Sequence, residues 1–109
     1  MTPFPSDEGS ASGTTTNAYV VAATIDATGF HNCMILIGNS SATATMHYKV
    51  DSYANTAGTL TNPEKTETSI ASSATAQLVL DSKTRAKYVI SVKDHSGPCA
   101  YVIEYIKGN

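Results

Sequence analysis

Residues 44–50, ATMHYKV, alternate without a break: Ala44, Met46, Tyr48 and Val50 are apolar or aromatic, while Thr45, His47 and Lys49 are polar. Successive side chains of a strand point to opposite faces, so this period of two predicts a half-buried strand with the first set inward and the second outward. Working outward, Gly38-Asn39-Ser40-Ser41 reads as a turn, and before it the run Cys33 to Ile37 is almost wholly apolar. That run predicts a central strand covered on both faces. Upstream again, Tyr19, Val21, Ala23 and Ile25 are expected to share the inner face of a first strand, which Asp26-Ala27-Thr28-Gly29 breaks.

Downstream, Asn55 to Lys65 holds Gly58, Asn62 and Pro63 and reads as a long loop, its proline arguing against a central strand. Thr66 to Ile70 forms a weak strand. Ala76 to Leu80 forms a better one with Leu78 and Leu80 inward, and Tyr88, Ile90 and Val92 mark another. The sequence DHSGP at 94–98 turns the chain into a last strand where Tyr101, Ile103 and Tyr105 oppose Val102, Glu104 and Ile106. Apolar spacing of three and four residues, which a helix would need, is nowhere sustained. The expected fold is all-β, a single antiparallel two-sheet sandwich of seven to eight strands. Ig-like and jelly-roll orders produce the same alternation and both stay open.

The first seventeen residues, MTPFPSDEGSASGTTTN, carry one large apolar side chain, Phe4, between Pro3 and Pro5. With no evident period to bury a face, residues 1–17 read as a flexible arm and residues 18–109 as the sandwich domain. Phe4, with Pro3 and Pro5 stiffening its flanks, is the expected assembly anchor. The arm has neither the basic run nor the apolar core of a secretory signal.

Across 109 residues the net charge is −2 with seven Lys plus Arg, too little for a nucleic-acid or anionic-lipid footprint. The local cluster Lys83-Thr84-Arg85-Ala86-Lys87 reads first as a solvated turn or strand edge and second as a phosphate patch. Charged residues make up 15%, against an average of about 25%, and a surface so poor in charge suits faces that meet other proteins. Val20, Ala22, Val89, Val102 and Ile106 fall opposite the main core positions and are expected to face out. If contiguous, they would mark a contact surface.

No catalytic pattern emerges. His31, His47 and His95 occupy three separate segments without metal-ligand spacing, and Asp26, Asp51, Asp81 and Glu104 are scattered over strand ends. No serine sits in a GxSxG elbow, and no phosphate loop or EF-hand spacing occurs. Asn39-Ser40-Ser41 matches a glycosylation acceptor but is a three-residue pattern met often by chance. Cys33 and Cys99 would face each other across a sandwich. A disulfide between them stays open, with free thiols preferred because no export signal points to an oxidising compartment. No cofactor is expected, nor a membrane or nucleic-acid partner, and the chain is expected not to be an enzyme.

The succession TGFHNCMILIGNSSATATMHYKVDSYA (28–54), a loop, SIASSATAQLVL (69–80) and AKYVISVKDHSGPCAYVIEYI (86–106) resembles small all-β virion accessory proteins of tailed bacteriophages, of the capsid decoration or cement type. The likeness covers residues 19 to 106 and lies in the order of features, with no contact positions to transfer. It implies a homotrimer or ring seated on a major capsid or other virion protein, made in the host cytoplasm, with a terminal arm lashing neighbours together. Two other classes compete. One is a pilus or filament subunit whose arm is donated to the next subunit. The other is a carbohydrate-binding module, for which Tyr53 is the one loop aromatic that qualifies.

Overall fold

The computed structural model describes residues 6–109, and they form eight strands: β1 (Ser6–Thr14), β2 (Val20–Asp26), β3 (Asn32–Asn39), β4 (Met46–Tyr53), β5 (Asn62–Ile70), β6 (Thr75–Leu80), β7 (Lys87–Asp94) and β8 (Ala100–Gly108). Two four-stranded sheets result, sheet A in the order β1-β8-β3-β6 and sheet B in the order β2-β7-β4-β5. Every pairing is antiparallel. β4 pairs with β5, β3 with β6, β2 with β7 and β1 with β8, so strands 1–4 run against strands 5–8 as one long hairpin. Rolling that hairpin across two sheets gives the jelly roll, which decides between the two strand orders left open above.

The ATMHYKV strand behaves as its alternation requires. Met46, Tyr48 and Val50 are buried, with Ala44 just before the strand. They meet Tyr88, Ile90 and Val92 from β7 and face Cys33, Ile35, Ile37, Tyr101 and Ile103 from sheet A across one apolar core. Burial of this kind stabilises by about 25 cal/mol per Å² of apolar surface. β3 differs from expectation. It is central in its sheet but covered on one face only, so Met34 and Leu36 on its other face are half-exposed. The alternation was hidden because both faces of β3 are apolar.

β2 also departs from its simple reading. A bulge between Val21 and Ala23 shifts the register against β7, and a bulge turns the side chains that follow it to the other face. Val20, expected outside, packs on the core together with Ala22 and Ala23, whereas Val21, expected inside, is 62% exposed. Tyr19 lies outside the core as well, its hydroxyl donating to Glu67 Oε1 at 2.6 Å.

The largest difference concerns the stretch read as an arm. Ser6–Thr14 pairs with β8 over nine residues, so the roll begins well before residue 18. Gly9, Ala11 and Gly13 stand opposite Tyr105, Ile103 and Tyr101. A Cβ built on Gly13 would come 2.6 Å from the Tyr101 hydroxyl, and one on Gly9 would overlap the Tyr105 ring. β1 therefore does have a period of two, written in small residues: the bulk sits on β8, and the aromatic rings cover the glycines across the strand. Thr15 then locks the crossing to sheet B. It is buried, its hydroxyl donates to Asp94 Oδ1 and accepts from Cys99 N at 2.8 Å, and its own amide donates to Cys99 O at 2.8 Å. Phe4, Pro3 and Pro5 lie outside the described residues.

Candidate interaction surface

The outer face of sheet A is assembled by register. Met34 on β3 stands between Ile106 on β8 and Val79 on β6, Leu36 between Glu104 and Gln77, and Gly38 between Val102 and Thr75. Val79, Val102 and Ile106 are 53%, 39% and 40% exposed. With Met34 and Leu36 they make a contiguous apolar patch, of a kind that marks a contact site rather than scattered exposure. Shallow depressions run along it, one lined by Glu8, Met34, Leu36, Glu104, Tyr105 and Ile106. Among the described residues the charges that the register places on this face are those of Glu8 and Glu104, and Asp81 stands at its rim beside Met34 and Ile106. Lys107, also on β8, points inward, where it is buried, bonds Asp26 O and pairs with Asp7 Oδ2 at 3.2 Å. Of the four outward valines and isoleucines expected, Val102 and Ile106 thus stand together here. Val89 is half-buried on sheet B, and Val20 faces the core.

Sheet B turns a different face outward. Lys49 and Lys93 lie over the Tyr19 ring at 4.5 and 4.9 Å, Lys93 pairs with Glu67 Oε1 at 3.2 Å, and Lys87 lies over Tyr53 at 4.4 Å while donating to Thr56 O. Partial burial and the Glu67 carboxylate push the Tyr19 phenol well above its usual range. The hydrogen bonds from Tyr19 and Lys93 hold Glu67 below its own. Tyr53, the aromatic that a carbohydrate module would use, has its ring occupied by Lys87.

The basic cluster at residues 83–87 is spent internally. Arg85 Nε donates to Glu64 Oε1 at 2.9 Å and to Ser52 Oγ at 3.1 Å, and Lys83 Nζ stands 3.5 Å from Glu64 Oε2. Desolvation pushes the Glu64 carboxyl upward, but the bonds from Ser52 and Arg85 and the charges of Lys83 and Arg85 prevail and hold it below the usual range. Cys33 and Cys99 are both buried free thiols, and burial raises Cys33 to about 11 against the opposing pull of Lys107. A thiol so far above neutrality is a poor nucleophile and behaves as a small apolar residue. Asn39 is buried too, its amide donating to the carbonyls of Ala44, Ile70 and Ala71 and its Oδ1 accepting from Ser41 N. It serves as an internal polar plug and offers no surface to a glycan.

One pairing was illegible in the sequence. His47 Nε2 and His95 Nδ1 are 2.7 Å apart with their rings edge-on, centroids 4.3 Å apart, so one ring donates and the other accepts. β4 and β7 bring them together, since His47 lies opposite Lys93, two residues before His95. Among the described residues no third His, Cys, Asp or Glu joins them, and two imidazoles supply half of a four-ligand zinc set.

No family model and no curated protein matches the chain. Several solved structures share its fold. A mitogen from Yersinia pseudotuberculosis superposes with a TM-score of 0.62 at 16% identity, covering 91% of this chain and 84% of that one. The SPBc2 prophage-derived protein YomS gives 0.62 at 12% identity over 100% and 99%. A subunit of the disulfide-linked pili of Bacillus endospore appendages gives 0.57 at 6% identity over 96% and 88%. At such identities the likeness is one of fold, and function must be argued from the surfaces of this chain.

Proposed function

We propose that the chain is a non-enzymatic structural subunit of a phage particle, a decoration or cement protein that stabilises a shell through subunit contacts. The observation that carries this reading is the outer face of sheet A, where Met34, Leu36, Val79, Val102 and Ile106 stay open to solvent among acidic residues. Such a face is costly to leave bare, and many weak contacts repeated by symmetry make a durable lattice from it. Its fold is shared with a prophage-derived protein, in keeping with the proposal. The donated-strand alternative has less support, because the slot beside β8 is filled by the chain's own β1.

The test is association with particles. Purified virions of the phage that encodes the chain are expected to contain it in fixed ratio to the major shell protein, read by quantitative mass spectrometry. Ile106→Lys is expected to reduce that ratio while leaving the circular dichroism spectrum unchanged, and Phe4→Ala to reduce it less. Absence of the chain from purified particles would overturn the proposal.

A further inference from the structure

Each sheet of an open sandwich has two edge strands, and an unguarded edge is a template for another strand. Three of the four edges here are guarded. β5 holds Pro63 and loses register with β4 between Tyr48 and Asp51. β2 is bulged and ends on Asp26, and β1 carries Asp7 and Glu8 just after its first residue, Ser6, and is thinned by Gly9 and Gly13. β6 differs from all three. Its sequence, TAQLVL, has no charge, proline or glycine, and its pairing with β3 runs from Thr75 to Leu80 without a shift.

The turns at both ends of β6 keep its free edge clear. Ser73 and Ser82 adopt left-handed backbone, φ 59° and 56°. Ser73 N donates to Ser41 O at 2.9 Å and Ser82 N to Asn32 Oδ1 at 3.0 Å. Those partners flank the two ends of β3, so the chain enters and leaves β6 on the side away from the open edge. Lys83, the first cation after β6 in the sequence, is directed to Glu64.

We infer that β6 pairs antiparallel with β6 of a second copy about a two-fold axis, fusing two four-stranded sheets A into one continuous sheet. Directly opposed residues of an antiparallel pair share a face, so the axis runs midway between one residue and its own copy. With Gln77 as that residue, Gln77 meets its own copy, Thr75 meets Val79 and Ala76 meets Leu78. The solvent face then holds an amide pair between two β-branched pairs, and the inner face matches small against large, both favourable cross-strand combinations. Stacking the outer faces of sheet A instead would bring Glu8, Glu104 and Asp81 against acidic copies of themselves, with no cation placed by the register on that face among the described residues. Edge pairing avoids this repulsion and extends the Met34, Leu36 and Val79 surface across the axis. The inference rests on the reading of the chain as an assembling subunit, and it names the first contact of that assembly.

A single-cysteine scan tests it in the full chain. Under mild oxidation Gln77→Cys is expected to give disulfide dimers on a non-reducing gel. Thr75→Cys and Val79→Cys are each expected to stay monomeric alone and to cross-link when mixed, because each meets the other across the axis. In sedimentation, Gln77→Lys places two ammonium groups directly opposite and is expected to weaken dimerisation about tenfold or more at unchanged thermal melting. A strictly monomeric wild type, or cross-linking indifferent to position, overturns the inference. A dimer that survives Gln77→Lys but dissolves with Ile106→Lys overturns it too, and leaves the subunit reading standing. A β6 dimer absent from purified particles overturns the subunit reading alone.

Discussion

On the outer face of sheet A, Met34, Leu36, Val79, Val102 and Ile106 stand side by side, and the charges placed there among the described residues are acidic, Glu8 and Glu104 with Asp81 at the rim. On the outer face of sheet B, Lys49, Lys87 and Lys93 are each laid over a tyrosine ring, Glu67 is bonded to Tyr19 and Lys93, and His47 is bonded to His95. Both sheets meet the same requirement inside, a shared apolar core, so their outer faces are free to differ. Sheet B uses these polar side chains largely on one another, His47 Nδ1 being buried without a partner among the described residues. Among the described residues sheet A leaves apolar area and the edge of β6 without a partner. On the proposed reading the contrast puts stability on one side of the molecule and association on the other, and substitutions can break it.

The largest expected effect lies where the sheets are joined. Asn39→Leu removes the amide that serves the buried carbonyls of Ala44 and Ile70, while Ala71 O keeps its bond from Ala74 N. We expect a loss of about 3 kcal/mol in chemical denaturation, and a change below about 0.5 kcal/mol would show that the plug is not needed. Next comes the polar network of sheet B. Arg85→Met strips Glu64 of its closest cation and is expected to cost about 2 kcal/mol at pH 7. Because the folded Glu64 carboxyl sits below its ordinary 4.5, the network's stabilisation is fully present above that value and is lost as pH falls through the folded one. The wild-type advantage over Arg85→Met should therefore shrink on acidification below about pH 4.5, measured by urea unfolding at a series of pH values. An advantage that is constant with pH would mean that the side chain acts through packing alone.

These contrasts were unequally legible in the sequence. ATMHYKV announces its inner face because large apolar and polar residues alternate, and the same rule placed Tyr88, Ile90, Val92 and Ile103 inside. It failed at Val20 and Val21, where one bulged residue inverts the faces without any change in composition. It failed at β1 for another reason: Gly9, Ala11 and Gly13 bury little of their own surface, and the apolar area that they cover belongs to Tyr101 and Tyr105, nearly a hundred residues away. The apolar face of sheet A was legible only in Val102 and Ile106. Met34 and Leu36 sit in a run where every residue is apolar, and Val79 gains meaning only through the pairing of β6 with β3. Contact between His47 and His95 likewise needs the β4–β7 register, which no local pattern encodes.

Two smaller effects sharpen the comparison from opposite sides. Gly13→Val forces branched carbon into the Tyr101 ring, and is expected to destabilise by about 1–3 kcal/mol, with hydrogen exchange rising first along β1 and β8. Lys93→Met, on the other side, deletes an ion pair whose partner Glu67 is about half exposed. Such a pair is worth at most about 1 kcal/mol in dilute salt and less when screened. Its loss should be hard to detect in unfolding at 0.15 M salt and should leave association through sheet A untouched. If Lys93→Met instead disrupted self-association or particle binding as strongly as Ile106→Lys, the charged face would be a docking surface in its own right. The division of labour between the two faces would then be wrong, because a side chain satisfied within its own subunit gains nothing by meeting another unless that contact replaces the Tyr19 ring and the Glu67 carboxylate with better partners.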